Sequence, residues 1–227
     1  GFLSGSKSTV SAGRASDAVI GARTVAGGVF DGVQDDYCLR CGHVVHGTAW
    51  DALEAARRVV ETEINSVNDN PVVVDGRVLS GAHFHGMPLS FAADQLRTAM
   101  ALVAGISERR VTKLLNDRRN YGLPRHLVVD DPSGVKSGWM IAQYTAASMV
   151  SELKTRSMPY CVGNVTTGNE AEDFVSMGAN ACRAAYEGVA VARGVIAIEL
   201  AVAVRALLVR HGRAATTDLS GTGVSPV

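Results

Sequence analysis

Apolar side chains recur along this chain with two different rhythms. Over residues 44–64, Val45, Ala49, Leu53, Ala56, Val60 and Ile64 return every three or four positions, which marks one face of a helix. That helix should stop at "NSVNDNP" (65–71), where Asn, Asp and Ser favour turns and Pro71 disfavours helical backbone before it. Then "VVVDGRVL" (72–79) sets two short apolar runs around Asp75-Gly76, the pattern of a tight hairpin. The helical rhythm resumes over residues 88–115, with Leu89, Ala93, Leu96, Met100, Val103 and Leu114, and again over 138–156. Between these two, "YGLPRHLVVDDPSG" (121–134) carries two prolines and reads as a loop.

The last helical stretch, 171–210, would be about 60 Å long if unbroken. Its charges, Arg183, Glu187, Arg193, Glu199 and Arg205, scatter around the axis and leave no broad polar side. Such a helix belongs inside a bundle, contacted from several directions, and 227 residues can hardly cover it. The expected fold is therefore mainly α: an elongated bundle of long helices with one short β-hairpin, its core completed by oligomerisation. Residues 1–32 read as an irregular Gly/Ser-rich segment, 33–210 as the helical-bundle domain, and 211–227 as a disordered polar tail.

Composition narrows the picture. Hydrophobic residues make up 47% but aromatic residues only 5%, so the core must be aliphatic. Lys+Arg and Asp+Glu are both 22, and a neutral chain has no global pull toward nucleic acid or an anionic membrane. The most apolar run, "GVIAIELAVAVRALLV", is interrupted by Glu199 and Arg205 and falls short of the roughly 20 residues of a membrane span. "GFLSGSKSTV" lacks the basic-then-apolar order of a signal peptide. Four cysteines make no disulfide scaffold, and the expected compartment is the reducing cytoplasm.

The stretch "QDDYCLRC" (34–41) concentrates the candidate chemistry. Cys38 and Cys41 form a C-x-x-C, but no second ligand pair lies near and no βαβ pattern surrounds it, so its cysteines read as structural. Gln34, Tyr37 and Arg40 recur every third residue and would share a face on a helix. Arginine's planar fork suits a carboxylate gripped at two points, against the plainer reading of an arginine on a solvated face. "NDNP" by itself is turn chemistry. In "GAHFHG" (81–86), His83 and His85 lack a third metal ligand. "GNEAEDFVSM" (168–177) brings three carboxylates to the start of the last helix, where Asp173 would complement the helix dipole.

Six segments in order, "QDDYCLRC", "ETEINSVNDNPVVV", "SGAHFHGMPLSFAADQL", "SERR", "SGWMIAQYTAASMVSE" and "EDFVSMG", together resemble the aromatic amino acid ammonia-lyase family. The resemblance runs from about residue 30 to 208 and corresponds to the C-terminal half of such enzymes, histidine ammonia-lyase being the nearest look. It implies α-helical homotetramers with long central helices and active sites assembled from several subunits. It also implies a 4-methylideneimidazol-5-one (MIO) electrophile, made from an internal Ala-Ser-Gly, and elimination of ammonia to an α,β-unsaturated acid. This sequence holds no Ala-Ser-Gly. The expectation is thus a chain inactive alone, needing a complementary N-terminal lyase half that carries the electrophile.

By resemblance, Arg40 pairs with the substrate carboxylate and Tyr37 handles protons and amine near the electrophile. Gln34 and Asn70 line the substrate region, and Phe84 packs by the electrophile ring, so no metal is implied. Glu172 falls at the acidic position of histidine ammonia-lyases and can accept a hydrogen bond from an imidazole N–H. Glu170 lies close enough to exchange roles with it. Met140 and "RCGHVVHG" follow the histidine pattern, whereas "ETEINSVNDNP" and "NYGLP" look closer to phenylalanine- and tyrosine-acting members. The expected substrate is an aromatic L-amino acid, histidine first. Phenylalanine or tyrosine elimination, 2,3-aminomutase chemistry and a non-catalytic helical assembly subunit remain as alternatives.

Overall fold

Helix formation from Met87 to Leu115 organises the elements around it. Gly86, left-handed at φ 71°, lets the chain enter, Pro88 suits the first turn, and extended Asn116 ends the helix. The computed structural model describes residues 34–212. Within that span the order is α1 (Tyr37–Arg40), α2 (Gly42–Ile64), β1 (Val72–Val74), β2 (Arg77–Leu79), α3 (Met87–Leu115), α4 (Met140–Arg156) and α5 (Gly178–Arg210). Short 3-10 turns at His83–His85, Arg125–Leu127 and Gly168–Glu170 join them. The expected irregular segment 1–32 and nearly all of the expected tail lie outside the described residues.

Helix α3 is largely covered, with Phe91, Leu102 and Arg109 left exposed along one side. Ala92, Ala93, Ala99, Ala104, Val111 and Leu115 are buried on it, and so are Asp94, Arg97, Ser107, Glu108 and Lys113. Asp94 and Arg97 pair with each other, and Arg97 also donates to the Met158 carbonyl at 2.9 Å. Glu108 accepts from Gln143 of α4 at 2.9 Å, so α4 runs antiparallel to α3. Ser107 donates to Glu199 of α5 at 2.5 Å, and Gly188 lies against Met100, so α5 runs parallel. One aliphatic core joins Ala104, Ala146, Val150, Leu153, Ala192 and Val195. A second joins Val111, Leu115, Leu123, Leu127, Val202 and Ala206.

The hairpin forms as the sequence predicts, with Val72 opposite Leu79 and Val74 opposite Arg77. Asp75 (φ 48°) and Gly76 (φ 71°) both take left-handed backbone at its turn. Two expectations are corrected. The last helix begins at Gly178 and not near 171, because Gly168, Asn169, Glu170 and Met177 are all left-handed and cannot start a helix. Asp173 therefore precedes the first turn, which holds no acid, and the dipole argument for it lapses. Within this chain α5 buries only a narrow stripe of small residues, Ala181, Ala184, Gly188, Ala192, Val195, Val202 and Ala206.

The uncovered faces are apolar. On α5, Tyr186 (83%), Leu200 (63%) and Val204 (56%) stand in solvent, with Val189, Ile196 and Leu207 along the same side. At 100° per residue this seam lies roughly 120° around the helix from the buried stripe. The face predicted for α2 is likewise open: Leu53, Val60 and Ile64 are exposed, and only Ala56 of that set is buried. No helix of the described residues is long and apolar enough to cross a membrane.

Candidate functional site

A four-residue helix cannot hold itself, because nucleation outweighs the hydrogen bonds that so short a helix forms. Helix α1 also has no side-chain cap, so its shape comes from its neighbours. Lys113 of α3 reaches Asp36 at 2.8 Å and Asp35 at 3.3 Å, Arg119 pairs with Asp36, and the Tyr121 hydroxyl donates to Asp35. Arg110 donates to the Cys38 carbonyl at 3.3 Å. Burial works against the Asp35 charge, yet the Tyr121 hydroxyl, the Asp36 amide and Lys113 hold its carboxyl below the usual range. Asp36 is likewise held low, chiefly by the Lys113 hydrogen bond. Burial pushes the Cys38 thiol up, the opposite of what a reactive cysteine needs.

This scaffold presents Tyr37 and Arg40 side by side. The Arg40 guanidinium lies 4.5 Å over the Tyr37 ring, which is 69% exposed beside an open cleft shared with Arg109, Lys113 and Arg119. Arg40 has no hydrogen-bond or ion-pair partner among the described residues, and its Nε is buried. Gln34 is exposed and precedes the helix, so only Tyr37 and Arg40 keep the predicted helical spacing. Met140, half-buried, opens α4 one turn before Gln143, which contacts Glu108.

Asp36 offers a direct test of this scaffold. Its folded-state carboxyl titrates below the unfolded value of 3.8, so the stability it contributes is present above that value. The contribution is lost as pH falls through the lower folded value. Asp36→Asn should lower Tm at neutral pH, with the gap to wild type closing in acid. A Tm gap that stays constant through that window would show that the pairing does not anchor the turn.

A second group gathers where α3 begins. The Asn70 side chain accepts from Ser80 Oγ at 3.2 Å and the Gly81 amide at 3.0 Å, tying the end of "NDNP" to the entry of the His83–His85 turn. Phe84, 56% exposed, projects from that turn. His85 Nε2 lies 2.7 Å from the Phe174 carbonyl and its ring stacks on Phe174, which locks the turn to the loop carrying Glu172. Glu172 accepts from Thr167 Oγ1 and bridges Thr167 through the backbone. Gly168 is required there, because a Cβ would stand 3.0 Å from the Glu172 carboxyl carbon on a backbone at φ 57°. Glu170 sits on the outer turn at φ 71°, so the two glutamates are not interchangeable in position.

The two groups occupy opposite ends of α3. Arg110 and Lys113 hold one, Gly86 leads from the other, and at 1.5 Å per residue they stand about 35 Å apart. Gln34, Tyr37, Arg40 and Met140 fall at one end, and Asn70, Phe84 and Glu172 at the other. No single copy brings them together.

The family model for aromatic amino acid lyase matches residues 5–223. The chain belongs to the aromatic amino acid lyase family. It is 47% identical over 182 residues to the histidine ammonia-lyase of Gloeobacter violaceus, covering 79% of this chain and 35% of that protein. The histidine ammonia-lyase of Treponema denticola is also 47% identical, over 77% of this chain and 34% of that protein. The chain thus spans about a third of the length of the curated relatives it matches. Among solved structures, phenylalanine aminomutase of Pantoea agglomerans superposes with TM-score 0.75 at 28% identity, covering 86% of this chain and 39% of that one. Histidine ammonia-lyase of Trypanosoma cruzi superposes with TM-score 0.72 at 38% identity, covering 77% and 34%.

As a lyase-family chain it carries site-shaping residues that the sequence did not single out. Arg110, Lys113, Tyr121 and Glu199 hold the Tyr37–Arg40 turn, and His85 joins the two loops at the other end. Their signal was faint. "SERR" stood out only as a family segment, and charges on a mostly apolar helix face gave no hint of their distant partners.

Proposed function

We propose that this chain supplies the substrate-gripping part of an ammonia-lyase acting on an aromatic L-amino acid, with histidine as the favoured substrate. The observation that carries the proposal is Arg40, half-buried, stacked on Tyr37 and without an ionic partner among the described residues, on a turn clamped by Arg110, Lys113 and Arg119. An arginine held in place and left unpaired is prepared for an incoming carboxylate. The higher identity to histidine ammonia-lyases supports histidine, as does Glu172, a hydrogen-bond acceptor braced by Thr167.

In this reading Arg40 binds the substrate carboxylate, and Tyr37, with its phenol in the open, handles the proton near the amine. Gln34 and Asn70 add polar contacts, and Met140 gives an apolar one. Glu172 accepts the imidazole N–H. One Cβ–H and the Cα–N bond break, the double bond forms, and ammonia departs with the proton. The MIO ring supplies the electrophile, and its Ala-Ser-Gly lies outside these 227 residues. Phe84, exposed on its turn, fits a ring brought from elsewhere, so the group is a neighbour to this chain and not its product.

A complementary N-terminal lyase half and further copies complete the proposed site. The separation of the two residue groups supports this, because residues about 35 Å apart serve one small substrate only when different copies contribute them. The open seams on α2 and α5 supply the surface for such an assembly.

The test is to assemble this chain with an Ala-Ser-Gly-bearing half and assay histidine, phenylalanine and tyrosine for the unsaturated acid and for the β-amino acid. Histidine should give the unsaturated acid, whereas a β-amino acid product would mean aminomutase chemistry. Glu172→Gln should harm histidine turnover about tenfold more than phenylalanine turnover, the size of one charge-assisted hydrogen bond. Equal loss on both substrates would remove the reason to favour histidine.

A further inference from the structure

The Tyr37–Arg40 turn is gripped from the side by a residue that belongs to neither the turn nor the substrate contacts. Arg110 projects from α3 with its fork divided between two partners. Its Nε and Nη2 hold the Glu199 carboxylate of α5, the Nη2 contact at 2.9 Å, and its Nη1 donates to the Cys38 carbonyl. Glu199 is fixed in turn by Ser107 Oγ at 2.5 Å. Both side chains are largely buried, 18% and 19% exposed, so the pair is shielded from solvent competition.

Cys38 lies between Tyr37 and Arg40, and its carbonyl is among those that a four-residue helix leaves without an internal partner. Arg40 itself contributes nothing to anchoring, because it has no polar partner among the described residues. The direction in which its guanidinium points is therefore set by its stacking on Tyr37 and by the backbone that carries both residues. Lys113 and Arg119 fix the start of the turn through Asp35 and Asp36, while Arg110 fixes its middle.

We infer that Arg110, held by Glu199, is a positioning residue that sets the aim of Arg40 through the Cys38 carbonyl and so governs carboxylate affinity. The inference rests on the proposed carboxylate role of Arg40. Lysine cannot replace it, because an ammonium has no planar fork to share between a carboxylate and a carbonyl.

The experiment uses the assembled lyase containing this chain and two competing ligands: the unsaturated acid product, and the aromatic amine that lacks the carboxylate. Arg110→Lys and the isosteric Glu199→Gln should each weaken inhibition by the acid about tenfold, as expected for a misaligned charge-assisted contact. Inhibition by the amine should stay unchanged. Arg40→Ala is the reference and should weaken only the acid. If Arg40→Ala weakens the acid and neither of the other variants does, the positioning role fails while the Arg40 assignment stands. If Arg40→Ala leaves the acid unaffected, the carboxylate assignment fails and takes the inference with it. Equal loss of both ligands in the Arg110 and Glu199 variants means general loosening and also overturns it. Should Arg110→Lys fail to fold, Glu199→Gln alone decides by the same comparison.

Discussion

Arg40→Ala should cut kcat/KM of the assembled enzyme by roughly a hundredfold, about 3 kcal/mol, because a desolvated carboxylate loses its cationic partner. The fold should survive. Arg40 makes no ion pair among the described residues, and its contact with the exposed Tyr37 ring adds little to stability. Loss of activity with an unchanged Tm would thus separate a binding role from a structural one. Arg40→Lys should recover only part of the activity, since a point charge lacks the fork that grips two oxygens. A kcat/KM that stays at the wild-type level in Arg40→Ala would retire the carboxylate assignment.

Leu200→Glu should dissociate the assembly and abolish activity together. Leu200 sits mid-way along the open α5 seam, 63% exposed in the single chain, flanked by Ile196 and Val204. Covering a leucine removes apolar surface worth about 1.5–3 kcal/mol per copy, and a glutamate there would have to be buried unpaired. Within one chain the substitution disturbs nothing packed, so far-UV circular dichroism should keep its helical signal. Light scattering behind size exclusion reads the mass. A variant that keeps its oligomeric mass and its activity would show that the seam is not an interface.

The long helices were legible because periodicity survives any tertiary arrangement: the predicted 88–115 and observed Met87–Leu115 differ by one residue. The hairpin was legible because Asp75-Gly76 dictates a local backbone shape. The start of α5 was not. "GNEAEDFVSM" has helical composition, but Thr167 bonds Glu172 across the loop and forces a run of left-handed residues that no pattern announces. The scattered charges of α5 were legible only as a pattern, because their partners lie on other helices. On α5 those charges find Arg110, Arg156 and other neighbours across helices. The candidate residues emerged as ordered segments, whereas their division between two ends of α3 is a property of the tertiary fold that no local pattern carries.

That division has a genetic consequence. In the proposed assembly a copy lacking Arg40 spoils the site to which it lends its α1 end, yet its Phe84 and Glu172 end still serves another. Two mutant alleles, one damaged at each end of α3, would therefore restore some intact sites when mixed in a single oligomer. Either allele expressed alone would yield none. Two lesions at this locus would complement when they touch opposite ends of a 29-residue helix and fail to when they touch the same end.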